Sequence, residues 1–193
     1  MVKTYEQKET ELMELAKNDY FFKEKAIANG TPFFIFSYDP KEELRARELS
    51  QRFWEEVESK WHKSTHINLY ELIMEILTDG ADVEDYSDIE EQYWFDHLIN
   101  NVIPWVLSNQ IVEEKFFDKV WDNDLVYITH IWVAWPYLRT HNLLNNLTSH
   151  NYSWSILLFY PWDYKKNDKW QRYLSLFNEF SEGNYYRAIS ICE

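Results

Sequence analysis

Five short runs of nearly unbroken apolar residues recur along this chain: PFFIFSY at 32–38, HINLY at 66–70, LVYITHIWV at 125–133, SILLFYP at 155–161 and YYRAISI at 185–191. Stretches of helical periodicity separate them. A strand with one face in water alternates apolar and polar residues; an unbroken apolar run belongs to a strand covered on both faces. Alternation of such strands with amphipathic helices predicts an α/β chain, a single domain with a mostly parallel sheet of about five strands and helices on both sides.

The helical signals fit that frame. Residues 4–28 read as one or two helices closed by Asn29-Gly30, a helical extension over 1–30 ahead of an α/β domain over 31–193. Asp39-Pro40 supplies an N-cap and an N1 proline, with Glu42 completing a capping-box-like start. Leu44, Leu49, Phe53, Val57 and Trp61 then recur at helical spacing. Glu71 to Leu77 begins another helix, the acidic run at 79–91 reads as a solvated linker, and 89–121 is helical with a break at Pro104. A short helix is expected over 136–148 and one more over 170–180.

Composition excludes several functions. With 46% hydrophobic and 19% aromatic residues, among them 10 Trp, the chain is not disordered, and some of that aromatic surface has to lie outside the core. Net charge is -14, concentrated before Arg139: 13 Lys and Arg stand against 28 Asp and Glu up to Leu138, then 6 against 5. Such a body repels phosphate backbones, so duplex DNA binding by the chain alone is not expected; Lys165, Lys166, Lys169 and Arg172 read as a solvated loop and helix start. The single cysteine, Cys192, permits no internal disulfide, and no uncharged run reaches the ~20 residues of a membrane span, so a cytoplasmic protein is expected.

Three glycines, at 30, 80 and 183, leave no Walker loop and no dinucleotide fingerprint, and there is no GxSxG elbow or HExxH motif. The acidic run has the wrong spacing for an EF-hand, so no metal or cofactor is expected. His62 and His66 read as surface residues, and His130 as a core or strand-end histidine.

One segment asks for more than packing. In WPYLRTHNLLNNL, residues 135–147, Arg139, Asn142 and Asn146 share a helical face beside His141 and Asn145. Asparagine is unfavourable inside helices, so these side chains either tie the helix to its neighbours or recognise something. In a parallel sheet the carboxyl edge, where α/β proteins bind ligands, gathers Asp39, Tyr70 with Glu71, the approach to Arg139, Tyr160, and Trp162-Asp163-Tyr164. A hydrolytic site, a small-ligand pocket and a protein-docking surface are all compatible with that set.

PFFIFSYDPKEELRARE, INLYELIMEIL, WPYLRTHNLLNNL, LLFYPWDY and LSLFNEFSEGNYYRA, in that order and spacing, resemble the BrxB family, a small component of bacterial BREX phage-defence systems. Asp39, Pro40, Arg47, Pro136, Arg139, His141, Leu144, Asn145, Tyr160, Pro161 and Tyr164 match the family pattern. The resemblance implies antiviral defence alongside a methyltransferase, a large ATPase and the phosphatase-like PglZ, and implies no reaction for this subunit. Where the pattern has small residues around the Pro-x-x-Arg and Tyr-Pro segments, this chain has His130, Ile131, Trp132 and Trp162. Bulk there hinders approach to a phosphate and favours a protein contact. The expectation is therefore a non-catalytic assembly or regulatory subunit, with PglZ foremost among partners. The alternative is an α/β enzyme using Asp39 and Glu71 as acid and base, and Arg139 to hold an anion.

Overall fold

The computed structural model describes residues 3–22, 33–120, 123–134, 154–161, 164–166, 172–176, 180–181 and 188–191. Its centre is a five-stranded parallel sheet. The strands β1 (Phe33–Ser37), β2 (Ser64–Asn68), β3 (Leu125–Thr129), β4 (Ser155–Tyr160) and β8 (Ala188–Ser190) lie in the order β2-β3-β4-β1-β8. Phe33 stands opposite Ile156 and Ala188, and His66 opposite Tyr127. The expected α/β architecture is therefore present.

Burial on both faces explains the unbroken apolar runs. On one face Phe34, Phe36, Leu125, Tyr127, Leu157 and Phe159 pack against α1 (Tyr5–Lys17) and α2 (Glu43–Glu58). On the other, Ile35, Ile67, Ile128, Ile156 and Leu158 meet α3 (Leu69–Gly80) and α7 (Asn109–Val120). Each fully buried Phe or Leu contributes roughly 1.5–3 kcal/mol. Phe21 adds geometry to burial, meeting Phe34 and Phe53 edge-on at centroid distances of 5.0 and 5.5 Å.

Helix α1 begins at a Thr4–Gln7 capping box and ends at Asn18, so it stops well short of residue 28; Asn29 and Gly30 lie outside the described residues. It is part of the core through Leu12 and Ala16. Asp39 caps a 3-10 turn (Pro40–Glu42) from which α2 starts. The buried face of α2 is Ala46, Leu49, Ser50, Phe53 and Val57. Leu44 is 73% exposed, because a five-residue step to Leu49 puts it off that face. Trp61 is 94% exposed, beyond the helix in a left-handed turn.

Five other segments correct the sequence reading. The acidic run is no linker: Asp82 and Asp85 form a capping box that starts α4 (Val83–Tyr93), with Tyr86 and Ile89 packed on the core. The stretch read as one helix broken at Pro104 is also interrupted at Trp94. It comprises α5 (Phe95–His97), a π turn (Leu98–Val102), α6 (Ile103–Val106) and, after a break, α7. Strand β3 ends at Thr129, not 133, because His130 adopts φ 59° and turns the chain into α8 (Ile131–Ala134). Residues 172–176, inside the span read as a helix, are a strand: β6 (Arg172–Leu176) pairs antiparallel with β5 (Tyr164–Lys166) and β7 (Phe180–Ser181) in a second, small sheet. Strand β2 is shifted to 64–68, since Asn68 caps α3 by accepting from the Tyr70 and Glu71 N–H groups. The helix expected over 136–148 lies outside the described residues.

Candidate functional site at the carboxyl edge of the sheet

Parallel strands bring their carboxyl ends to one edge, so Tyr38, Asn68, Thr129 and Tyr160 become neighbours whatever their separation in sequence. The elements that leave this edge supply its side chains: the turn and α2 after β1, α3 after β2, and α8 after β3.

Two polar arrangements are built here. In the first, Glu43 in the opening turn of α2 accepts a hydrogen bond from the Tyr38 hydroxyl at 2.8 Å and an ion-paired one from Arg47 Nε at 2.9 Å. One carboxylate thus fixes the end of β1 to the helix that follows it. Burial, then the Glu43 charge, push the Tyr38 phenol far above its ordinary value, so it is a permanent donor. In the second, the buried Thr129 hydroxyl sits between two imidazoles, 2.7 Å from His66 Nε2 and 2.8 Å from His130 Nδ1. A hydroxyl has one proton to give, so it can donate to at most one ring and must accept from the other, which couples the two tautomers.

Both histidines are held neutral. Burial lowers the pKa of His130 first, the Arg47 charge lowers it further, and Glu43 and Glu71 pull it back up. Burial also leads for His66, which lies flat against Tyr127 at 4.7 Å between centroids; His130 adds to the lowering and Glu71 opposes it. His66 keeps its outer side in solvent because β2 is the edge strand. The left-handed backbone of His130 aims its ring back at Thr129, a conformation with a cost of order 1–3 kcal/mol for a bulky residue.

The residues expected from sequence are placed as follows. Asp39 is exposed at the end of β1, and its carboxylate accepts from the Lys41 N–H at 2.9 Å, so its position is that of a cap. Glu71 is exposed in the first turn of α3 and acts on both histidines through its charge. Tyr160 ends β4 with its ring fully buried, and its carbonyl accepts from the Tyr38 N–H at 3.0 Å. Tyr164 opens β5, paired with Leu174. Arg139, His141, Asn142, Asn145, Asn146, Trp162 and Asp163 lie outside the described residues, as do Pro136 and Leu144. The edge thus brings Asp39, Glu71 and Tyr160 to one side of the sheet and adds four residues the sequence did not nominate: His66, Thr129, His130 and Glu43. For His66 and Thr129 the signal lies in the register of β2 against β3, which one sequence does not display, whereas Glu43 meets Tyr38 and Arg47 within five residues. Among the described residues no three His, Asp, Glu or Cys side chains are placed to hold a metal ion.

The helices that leave the edge also carry exposed apolar side chains. Helices α3 and α8 pack together, yet Tyr70 and Met74 of α3 and Trp132 of α8 each keep about two-fifths of their surface in water. The family model described as "BREX protein BrxB" matches residues 65–191, which includes β2, α3, β3 and α8. The chain belongs to the BrxB family. A BrxB protein of Bacillus cereus (strain H3081.97) is 30% identical over 179 residues, covering 90% of each chain. A BrxB protein of Escherichia coli O9:H4 (strain HS) is 27% identical over 176 residues, covering 90% of this chain and 84% of the relative. No solved structure matches. Membership thus rests on sequence that includes the strands and helices building the edge, with the His–Thr–His chain inside the matched BrxB region.

Proposed function

We propose that this BrxB-family chain is a non-catalytic assembly or regulatory subunit of a BREX phage-defence complex. It docks partner proteins on the carboxyl edge of its sheet. The observation that carries the reading is the pairing of exposed Tyr70, Met74 and Trp132 with polar side chains already committed to internal hydrogen bonds. Exposed aromatics beside a rigid polar frame are what protein interfaces use as anchors, because little side-chain entropy remains to be lost. A hydrolytic site instead needs a base or nucleophile aimed at substrate. Here Glu43 faces Tyr38 and Arg47, Asp39 caps a turn, and Thr129 lies buried between two neutral rings.

PglZ is the partner foremost in this reading, followed by the methyltransferase and ATPase of the system, and the place of action is the cytoplasm. No helix among the described residues is long and apolar enough to cross a membrane. Arg139, His141 and the asparagines at 142, 145 and 146 are proposed to extend the same contact surface, as are Trp162, Asp163 and Tyr164. Tyr70→Ala combined with Trp132→Ala tests the proposal in cells that carry the whole defence system. The expected result is loss of phage protection with the purified variant still folded; undiminished protection would refute it.

A further inference from the structure

A second aromatic surface is built by other elements. Helix α4 and the helical segment 95–106 form a hairpin. Its base is closed where the end of α3 meets both arms: a Cβ on Gly80 would sit 3.3 Å from Val106 Cγ1 and 3.7 Å from the Tyr86 hydroxyl, and that hydroxyl donates to the Leu77 carbonyl at 2.8 Å. At the tip three consecutive aromatics stand in water: Tyr93, Trp94 and Phe95, with Trp94 82% exposed. Trp94 has φ 72° and ψ 155°, a region that glycine occupies almost alone. A chain that needed only a turn there has Gly or Asn available at lower cost. A strained backbone carrying a large side chain outward points to a role for that side chain in contact.

The surroundings select the partner. Tyr86 and Ile89 face inward, so Glu84, Asp85, Asp88 and Glu91 line the solvent side of α4. From Ser64 to Glu114 the sequence holds no Lys or Arg. The negative potential around the tip is therefore not neutralised from within its own segment. Phosphate backbones and anionic lipid surfaces are repelled by it. Two such tips facing each other in a pair of copies would set like charge against like. We infer that the hairpin tip binds a basic segment of another protein, with an apolar side chain seated on Trp94 and Lys or Arg groups reaching the acids of α4. This surface is independent of the carboxyl edge, and either assignment can fail without the other.

Site-specific photo-crosslinking of the full chain within its assembled defence system tests the inference. p-Benzoylphenylalanine replaces Trp94, and, as a control, Trp61, which is also exposed and left-handed. The expected product joins position 94 to a Lys/Arg-rich segment of a different protein, and falls when salt is raised to about 0.5 M before irradiation. Trp94→Ala should also weaken co-purification of that protein by about tenfold or more, as for an interface anchor. A crosslink to nucleic acid, to a second copy of this chain or to an acidic segment overturns the inference. So does a yield no higher than at position 61.

Discussion

Replacing Thr129 by valine removes one oxygen and keeps the shape, so it isolates what the hydroxyl does between the two histidines. Two hydrogen bonds vanish, at 2.7 and 2.8 Å. Each is worth about 1 kcal/mol net, and a buried partner left unsatisfied would add more. Water relieves part of that penalty, since His66 is open on one side and His130 is only half-buried. The expected loss is thus roughly 1–2 kcal/mol, not the larger figure for a sealed site. For a chain of this size 1 kcal/mol corresponds to about 2–4 °C in Tm, so calorimetry should show a decrease of about 2–8 °C. Thr129→Ser supplies the control: it keeps the hydroxyl and loses one methyl group, worth about 0.8 kcal/mol. Imidazole nitrogen chemical shifts separate the two. In the serine variant His66 and His130 should keep the wild-type tautomers; in the valine variant at least one should change. A valine variant with unaltered Tm and unaltered histidine spectra would refute the coupled chain.

Acid should weaken the fold through the two histidines. The folded pKa values of His66 and His130 lie below the ordinary ~6.5, so the unfolded chain takes up protons first and stability falls as pH drops through and below that value. Tm measured from pH 7 to pH 5 should decline, and His130→Asn, which tolerates the left-handed backbone, should flatten the slope; an equal slope in the variant would contradict this. Glu6 and Asp19, whose pKa values are also lowered, contribute only at more acid pH. Trp94→Gly should not destabilise the protein. Relief of ~1–3 kcal/mol of strain outweighs the ~0.5–1 kcal/mol of extra glycine entropy, so urea unfolding should give equal or greater stability. A loss above about 1 kcal/mol would show instead that the indole packs on the fold.

The strands were legible because burial on both faces writes itself as unbroken apolar runs: Phe33 to Phe36 serve the two cores alternately, and no polar residue is tolerated between them. Asp39 and Glu71 could be placed at the carboxyl edge because strand ends are visible in one dimension. Helix α4 was hidden because its signal is local and polar: an Asp82–Asp85 cap, with Tyr86 and Ile89 turned inward from an otherwise acidic segment. Strand β3 was overrun because Ile131 to Val133 continue its apolar character, whereas the turn at His130 is a backbone event that composition does not record. At 172–176 the alternation of Tyr173 and Ser175 with Leu174 and Leu176 has the period of a strand, within the span read as a helix over 170–180. The His66–Thr129–His130 chain needs the register of β2 on β3, which is tertiary information.

The central claim, a partner docked on the carboxyl edge, is tested most directly by the dissociation constant between this chain and the purified PglZ, methyltransferase and ATPase components in turn. It should be measured for wild type and for the Tyr70→Ala, Trp132→Ala double variant, with Tm recorded for both. Tight binding to one component, weakened by about 2 kcal/mol or more in the double variant with only a modest fall in Tm, is the predicted result. Equal affinity of wild type and variant for the same partner would contradict the account and move the docking surface elsewhere on the molecule.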